Sequence, residues 1–253
     1  MKFRTLSRLI YLRRAQHRKG HGIHSPFLFR LITTVIENKE RLPEYKTLNL
    51  LKKNAQELLL HGSDPLFDSV YKQFNLPSSK RKKLYNKVEM PIRYAKVIFR
   101  LIREFKPPVI FNYGSTFGTH LATMALANSE SVVYQQSNNP AYELYCRELL
   151  NEFDIPNIRF NTEKVEATAD PEFVIINYPE NPALARIGID QSLKMKGDNA
   201  VLIIRGIHES KEMEMVWDEI IESNNVRVSL DLFEIGIALF RKGLQKENFV
   251  HRF

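Results

Sequence analysis

The chain has 253 residues, 43% of them hydrophobic and 26% charged. That is enough for one sizeable core, or a domain plus an appendage, and it excludes general disorder. A single cysteine, Cys146, excludes an internal disulfide framework and points to a reducing, cytoplasmic compartment.

The net charge of +8 is unevenly placed. Eight basic residues and no acid precede Glu37, whereas residues 89–253 hold 18 basic and 23 acidic residues. A basic first third suggests an anionic partner there. The other reading is that it is solvated, or docks on the acidic remainder.

Residues 5–18 set Leu6, Leu9, Ile10 and Leu12 among arginines, the pattern of an amphipathic helix with a basic face. It could lie on a membrane, grip a phosphate backbone or pack on its own domain. So few apolar residues make a weak anchor, which favours packing. The run is too short for a signal-peptide core, and no apolar run reaches the ~18–20 residues of a membrane span. His21 and His24 sit in a glycine-containing connector with no thiol or carboxylate beside them, so they read as structural rather than as metal ligands. Ser25-Pro26 predicts a helix start, with an apolar stripe of Phe27, Leu28, Leu31, Ile32, Val35 and Ile36. Residues 46–60 read as helix, and the basic run Ser78–Lys83 as a polar loop.

From residue 89 strands and helices alternate. Helix is predicted at 90–105, 119–127, 141–153, 182–194 and 210–222. Strand is predicted at 109–111, 132–134, 158–160, 173–176, 201–204, 226–232 and 235–241. Alternation implies a mainly parallel sheet covered on both faces. The last two strands are joined too tightly for a crossover, so the last must be antiparallel. The expected fold is α/β and Rossmann-like. It has seven strands over residues 89–253, preceded by a basic helical extension over 1–88. A ligand crevice is expected at the carboxyl ends of the first and fourth strands.

This layout resembles the class I S-adenosylmethionine-dependent methyltransferases. The resemblance is closer to a bacterial subgroup that opens with a basic helix and a Gly-x-His-Ser-Pro-Phe motif, here Gly22 to Phe27. The subgroup also carries an Ile-His-x-Ser-x-Glu-Met stretch, here Ile207 to Met213, and a tail like Phe249-Val250-His251-Arg252-Phe253. In that family the first strand ends in an acid and a glycine-rich turn. The matching residues here are Asn112, Gly114, Ser115 and Gly118. The acid that grips the ribose hydroxyls aligns with Ser137, and that after the fourth strand with Asn177. Arg205-Gly206 stands where paired acids are usual. The resemblance thus implies a cofactor pocket of Asn112, Gly114, Ser115, Gly118, Ser137 and Asn177 without a carboxylate. Such a pocket would bind S-adenosylmethionine weakly, each lost charge-assisted hydrogen bond costing about 1–3 kcal/mol. No metal site is expected, since hard cations need carboxylate oxygens.

His208 is the one general-base candidate near the strand ends. Its other reading is a helix-entry residue beside a capping Ser210. Cys146 and Trp217 read as core, and the aromatic tail as an edge cover. Two functions follow from the resemblance. One is a methyltransferase with an acid-depleted pocket. The other is a pseudoenzyme whose basic residues 1–36 and 78–87 bind RNA, another anion or a protein. A third reading is a peripheral membrane protein using residues 5–18.

Overall fold

The computed structural model describes residues 3–15, 22–61, 85, 88–114, 116–137, 140–160, 172–177 and 182–253. The chain forms two compact units. The first comprises Met1–Lys39, Thr168–Ile176 and Ala185–Phe253, and the second Glu40–Ala167 and Asn177–Leu184. The basic run at 78–83 lies outside the described residues, as do His21 and Ser115.

Helix α1 (Phe3–Arg14) opens the first unit. Its inward residues are Ser7 and Tyr11, followed by Ala15. The expected packing stripe of Leu6, Leu9, Ile10 and Leu12 faces outward instead. The register is set by Tyr11, whose ring packs on Phe233 and whose hydroxyl donates to the His251 carbonyl at 2.5 Å. Ser25 then caps α2 (Pro26–Arg30) by accepting from Leu28 N–H, with Pro26 at the first helical position. A π-helical turn, Leu31–Ile36, continues it and buries Leu31, Ile32, Val35 and Ile36.

The second unit begins with α3 (Glu44–His61) and α4 (Ile92–Phe105). Tyr94, Ala95, Ile98, Leu101 and Ile102 recur at helical spacing and are buried. Lys106 ends α4 in the left-handed region (φ 47°) before Pro107 and Pro108. Strand β1 (Val109–Tyr113), helix α5 (Thr119–Ala127), strand β2 (Val132–Gln136), helix α6 (Pro140–Asn151) and strand β3 (Ile158–Phe160) follow. Here β1 pairs with β2 and β2 with β3, all parallel.

The first unit resumes with β4 (Phe173–Ile176), and α7 (Pro182–Ser192) leads to β5 (Val201–Arg205). Both strands are buried along their whole length, as parallel strands covered on both faces should be. Helix α8 (Lys211–Glu222), strand β6 (Val228–Asp231), strand β7 (Ile235–Leu239) and strand β8 (Glu247–Val250) complete it. The order within this unit is β4-β5-β7-β6-β8. The reversed strand is β7, antiparallel to both β5 and β6.

An eighth strand was not expected. After a turn at Gly243 (φ 85°), β8 pairs parallel to β6, from Val228↔Glu247 to Asp231↔Val250. Only Phe249 within it is buried, so its sequence lacks the apolar run that marks a buried strand. The tail does cover an edge, and it does so by adding to the sheet. Trp217 is core, packed so closely on β7 that a Cβ at Gly236 would lie 2.6 Å from its ring.

Candidate functional site

The end of β1 gathers buried polar side chains, all within the second unit. Asn112 Nδ2 donates to Gln135 Oε1 at 2.5 Å, and Gln135 Nε2 donates to the Gly114 carbonyl at 2.7 Å. Gly114 N–H donates to the Gln136 carbonyl, closing the turn against β2. Asn177 N–H donates to the Tyr113 carbonyl at 2.7 Å, bringing Asn177 to the same place. Its side-chain amide lies 2.7 Å from His120 Nδ1. Met90 N–H donates to His120 Nε2, so the ring proton belongs on Nδ1 and the amide should turn its oxygen toward it. The Glu89 carboxylate, also buried, lies 3.5 Å from the same Nε2.

Gly114 and Gly118 both adopt positive φ, 99° and 89°. At Gly118 the close neighbour is α6: a Cβ there would meet Leu149 Cδ2 at 2.7 Å. Between them Phe117 is fully buried, stacked on Tyr85 and tilted against Tyr142. Thr116, Gln135, Ser137, Tyr142, Cys146 and Phe160 line a cavity of about 10 Å³, room for roughly one water. Cys146 donates to the Thr116 carbonyl, and burial pushes its thiol pKa far up, so it is an inert core residue. The structure thus brings Asn112, Gly114, Gly118, Ser137 and Asn177 into one unit. Ser115 lies outside the described residues.

His208 belongs to the first unit and to a different chemistry. Its Nδ1 is 2.9 Å from Glu214 Oε1 and its Nε2 2.8 Å from Asp231 Oδ2. Burial works to lower its pKa, but the hydrogen bonds and charges of Asp231 and Glu214 outweigh burial and raise it. Both ring nitrogens are thus held by carboxylates, an arrangement that favours the imidazolium form. It anchors the start of α8, where Ser210 caps the helix by accepting from Met213 N–H. The ring also stacks on Phe233, beside Tyr11.

The basic helix docks on the acids of its own unit. Arg4 pairs with Glu209 at 2.6 Å and with Glu234, and the Arg4 and Arg8 guanidinium groups lie over the Phe233 ring. Among the described residues, no three His, Cys, Asp or Glu side chains converge as a metal site.

Sequence reasoning missed Gln135, His120 and Glu89. His120 left one trace, an imidazole in the first turn of an otherwise apolar helix directly after Gly118. Gln135 left none, because an amide in a strand is unremarkable until its partner is known.

Comparison with known proteins rests on structure. No family model matches the sequence, and no curated protein does. Similar solved structures include a "putative caffeoyl-CoA O-methyltransferase" from Staphylococcus aureus. It is 13% identical, with a TM-score of 0.53 over 76% of this chain and 99% of that one. A "putative O-methyltransferase" from Klebsiella pneumoniae is 13% identical, with a TM-score of 0.51 over 78% and 96%. The cofactor-bound protein Rv0187 from MTB is 12% identical, with a TM-score of 0.51 over 81% and 100%. The chain has the α/β Rossmann-like fold of these proteins, a mostly parallel sheet with one reversed strand.

Proposed function

We propose that the chain is an S-adenosylmethionine-dependent methyltransferase whose cofactor site has exchanged its acids for neutral groups and binds the cofactor weakly. One observation carries this reading. Asn112 Oδ1, Thr116 Oγ1 and Thr119 Oγ1 are buried around the turn after β1 with no hydrogen-bond partner among the described residues. Each such acceptor costs about 1–3 kcal/mol unless something donates to it. Ribose hydroxyls and an amino group are donors of the right kind. Asn112, Gly114, Ser115, Gly118, Ser137 and Asn177 would hold the cofactor. The chemistry it supplies when bound is an activated methyl group. The chain's part is to align an acceptor and exclude water, which needs no base. His208, clamped by two carboxylates, is not offered as one. In this reading residues 1–88 are a basic extension and 89–253 the cofactor-binding domain of a cytoplasmic protein.

A second reading, a pseudoenzyme that binds RNA, another anion or a protein through its basic first third, is favoured by a different observation. The cavity beside Ser137 holds about one water, and Gly118 already receives Leu149. Titration with S-adenosylhomocysteine separates the two. The first reading expects a rise in melting temperature at ligand concentrations up to about 1 mM, absent with adenosine monophosphate. No rise over that range refutes it and leaves the second.

A further inference from the structure

The outward face of α1 is the largest gathering of exposed apolar side chains among the described residues. Ten large hydrophobic side chains are exposed among the described residues, and five of them, Phe3, Leu6, Leu9, Ile10 and Leu12, belong to this one helix. Leu6, Leu9 and Ile10 stand 46–50% exposed, against 5% for Tyr11. Phe3, Leu6, Ile10 and Arg13 follow one another at steps of three and four, so they form a single row along the helix. Leu9 lies beside that row, and Arg14 follows Arg13 in the last turn. Neither arginine has an acid partner among the described residues.

We infer that this face docks the protein on an anionic phospholipid surface. Three observations select that occupant. The face is apolar and cationic together, the composition of helices that lie in the plane of a membrane interface. The helix's own charges are all positive, and on its outward row the charge at the last turn is that of Arg13, without an acid partner among the described residues. That suits a continuous anionic plane better than a protein patch of mixed charge. The arginines that would serve a nucleic-acid backbone are partly committed, because Arg4 holds Glu209 and Glu234. What remains exposed is dominated by leucine and isoleucine rather than by cations.

The mounting supports the same use. Tyr11 ties the helix to the tail through the His251 carbonyl and Phe253 N–H, so the apolar row is held outward on a folded body. A helix of 12 residues spans about 18 Å, well short of a ~30 Å hydrocarbon core, so it lies on the surface and does not cross. Arg13 can sink its methylenes with the leucines while its guanidinium reaches a phosphate. Five apolar side chains and a few cations give weak, reversible, salt-sensitive attachment.

The test is co-sedimentation of the full chain with large unilamellar vesicles of phosphatidylcholine, with or without about one-third phosphatidylglycerol. Expected is at least about tenfold stronger partition to the phosphatidylglycerol vesicles, weakened by added salt. The double variant Leu6→Glu, Ile10→Glu should lose about tenfold or more of it with its melting temperature unchanged. Met215→Glu, at an exposed apolar residue on α8, should lose nothing. Should the glutamates unfold α1, Leu6→Gln with Leu9→Gln gives the same comparison. Absence of binding to phosphatidylglycerol vesicles overturns the inference, as does equal loss with Met215→Glu. A dimer in solution that the double variant splits assigns the face to a second copy instead. RNA binding that the variant abolishes assigns it to nucleic acid.

Discussion

Gly118 is where a structural and a ligand-binding role can be told apart by thermodynamics alone. Alanine at 118 meets two penalties. Its backbone would have to hold φ 89°, ψ −31°, a region that residues with a Cβ rarely adopt, at about 1–3 kcal/mol. Its Cβ would also lie 2.7 Å from Leu149 Cδ2. Crowding of that kind costs about 1–3 kcal/mol, toward the lower end here because a leucine methyl can swing away. The sum is about 2–5 kcal/mol, and at about 2–4 °C per kcal/mol the melting temperature should fall by roughly 4–20 °C. The assay is a thermal melt by circular dichroism on wild type, Gly118→Ala, Leu149→Ala and the double variant. Leu149→Ala alone should cost about 2–5 kcal/mol as a buried leucine truncation. The double variant should then be about 1–2 kcal/mol more stable than the two losses added together, because the new methyl enters the space the leucine left. Additivity within about 0.5 kcal/mol, or an unchanged melt for Gly118→Ala, would refute the claim that α6 is what Gly118 accommodates.

Three further outcomes follow from the geometry. His208 has a raised pKa, so its clamp contributes fully below its unfolded pKa of about 6.5 and is lost as pH rises through the folded value. Urea midpoints should fall over that window in wild type and be flatter in His208→Gln; identical profiles would disprove the charged clamp. Tyr11→Phe removes the donor to the His251 carbonyl and the acceptor of Phe253 N–H, and should cost about 1–3 kcal/mol by urea unfolding. Faster amide exchange confined to the tail would accompany it, and a loss under about 0.3 kcal/mol would show that packing on Phe233 alone seats α1. If the proposed cofactor site is right, Ser137→Asp places a carboxylate where a ribose-binding acid is expected, and should tighten S-adenosylhomocysteine binding about tenfold by calorimetry. Unchanged or weaker binding would count against the cofactor proposal at that residue.

The strands were legible because they are buried on both faces. Phe173–Ile176 and Val201–Arg205 are apolar runs that solvent does not interrupt, so composition alone marks them. The strand Glu247–Val250 lies beside one neighbour only, and its single buried residue leaves no period to detect. Helix α1 shows a different limit. Its apolar pattern correctly announces a helix, yet periodicity cannot say which face the fold covers. Tyr11 wins because one side chain supplies both a ring for Phe233 and a hydroxyl for the tail, an advantage invisible until the tail is in place.

At the end of β1 the neutral residues were readable and their partners were not. A carboxylate at position 112, fully buried, would need opposing charge or several N–H donors to offset its desolvation. An amide needs far less, and one partner on the neighbouring strand, Gln135, already meets half of its demand. The same holds at Asn177, which His120 engages across 57 residues of sequence. An amide carries no charge, and it costs less to bury than a carboxylate. Asn112→Asp should therefore destabilise the ligand-free chain, because desolvating a carboxylate at a fully buried position costs more than desolvating an amide, and an unchanged urea midpoint would refute this.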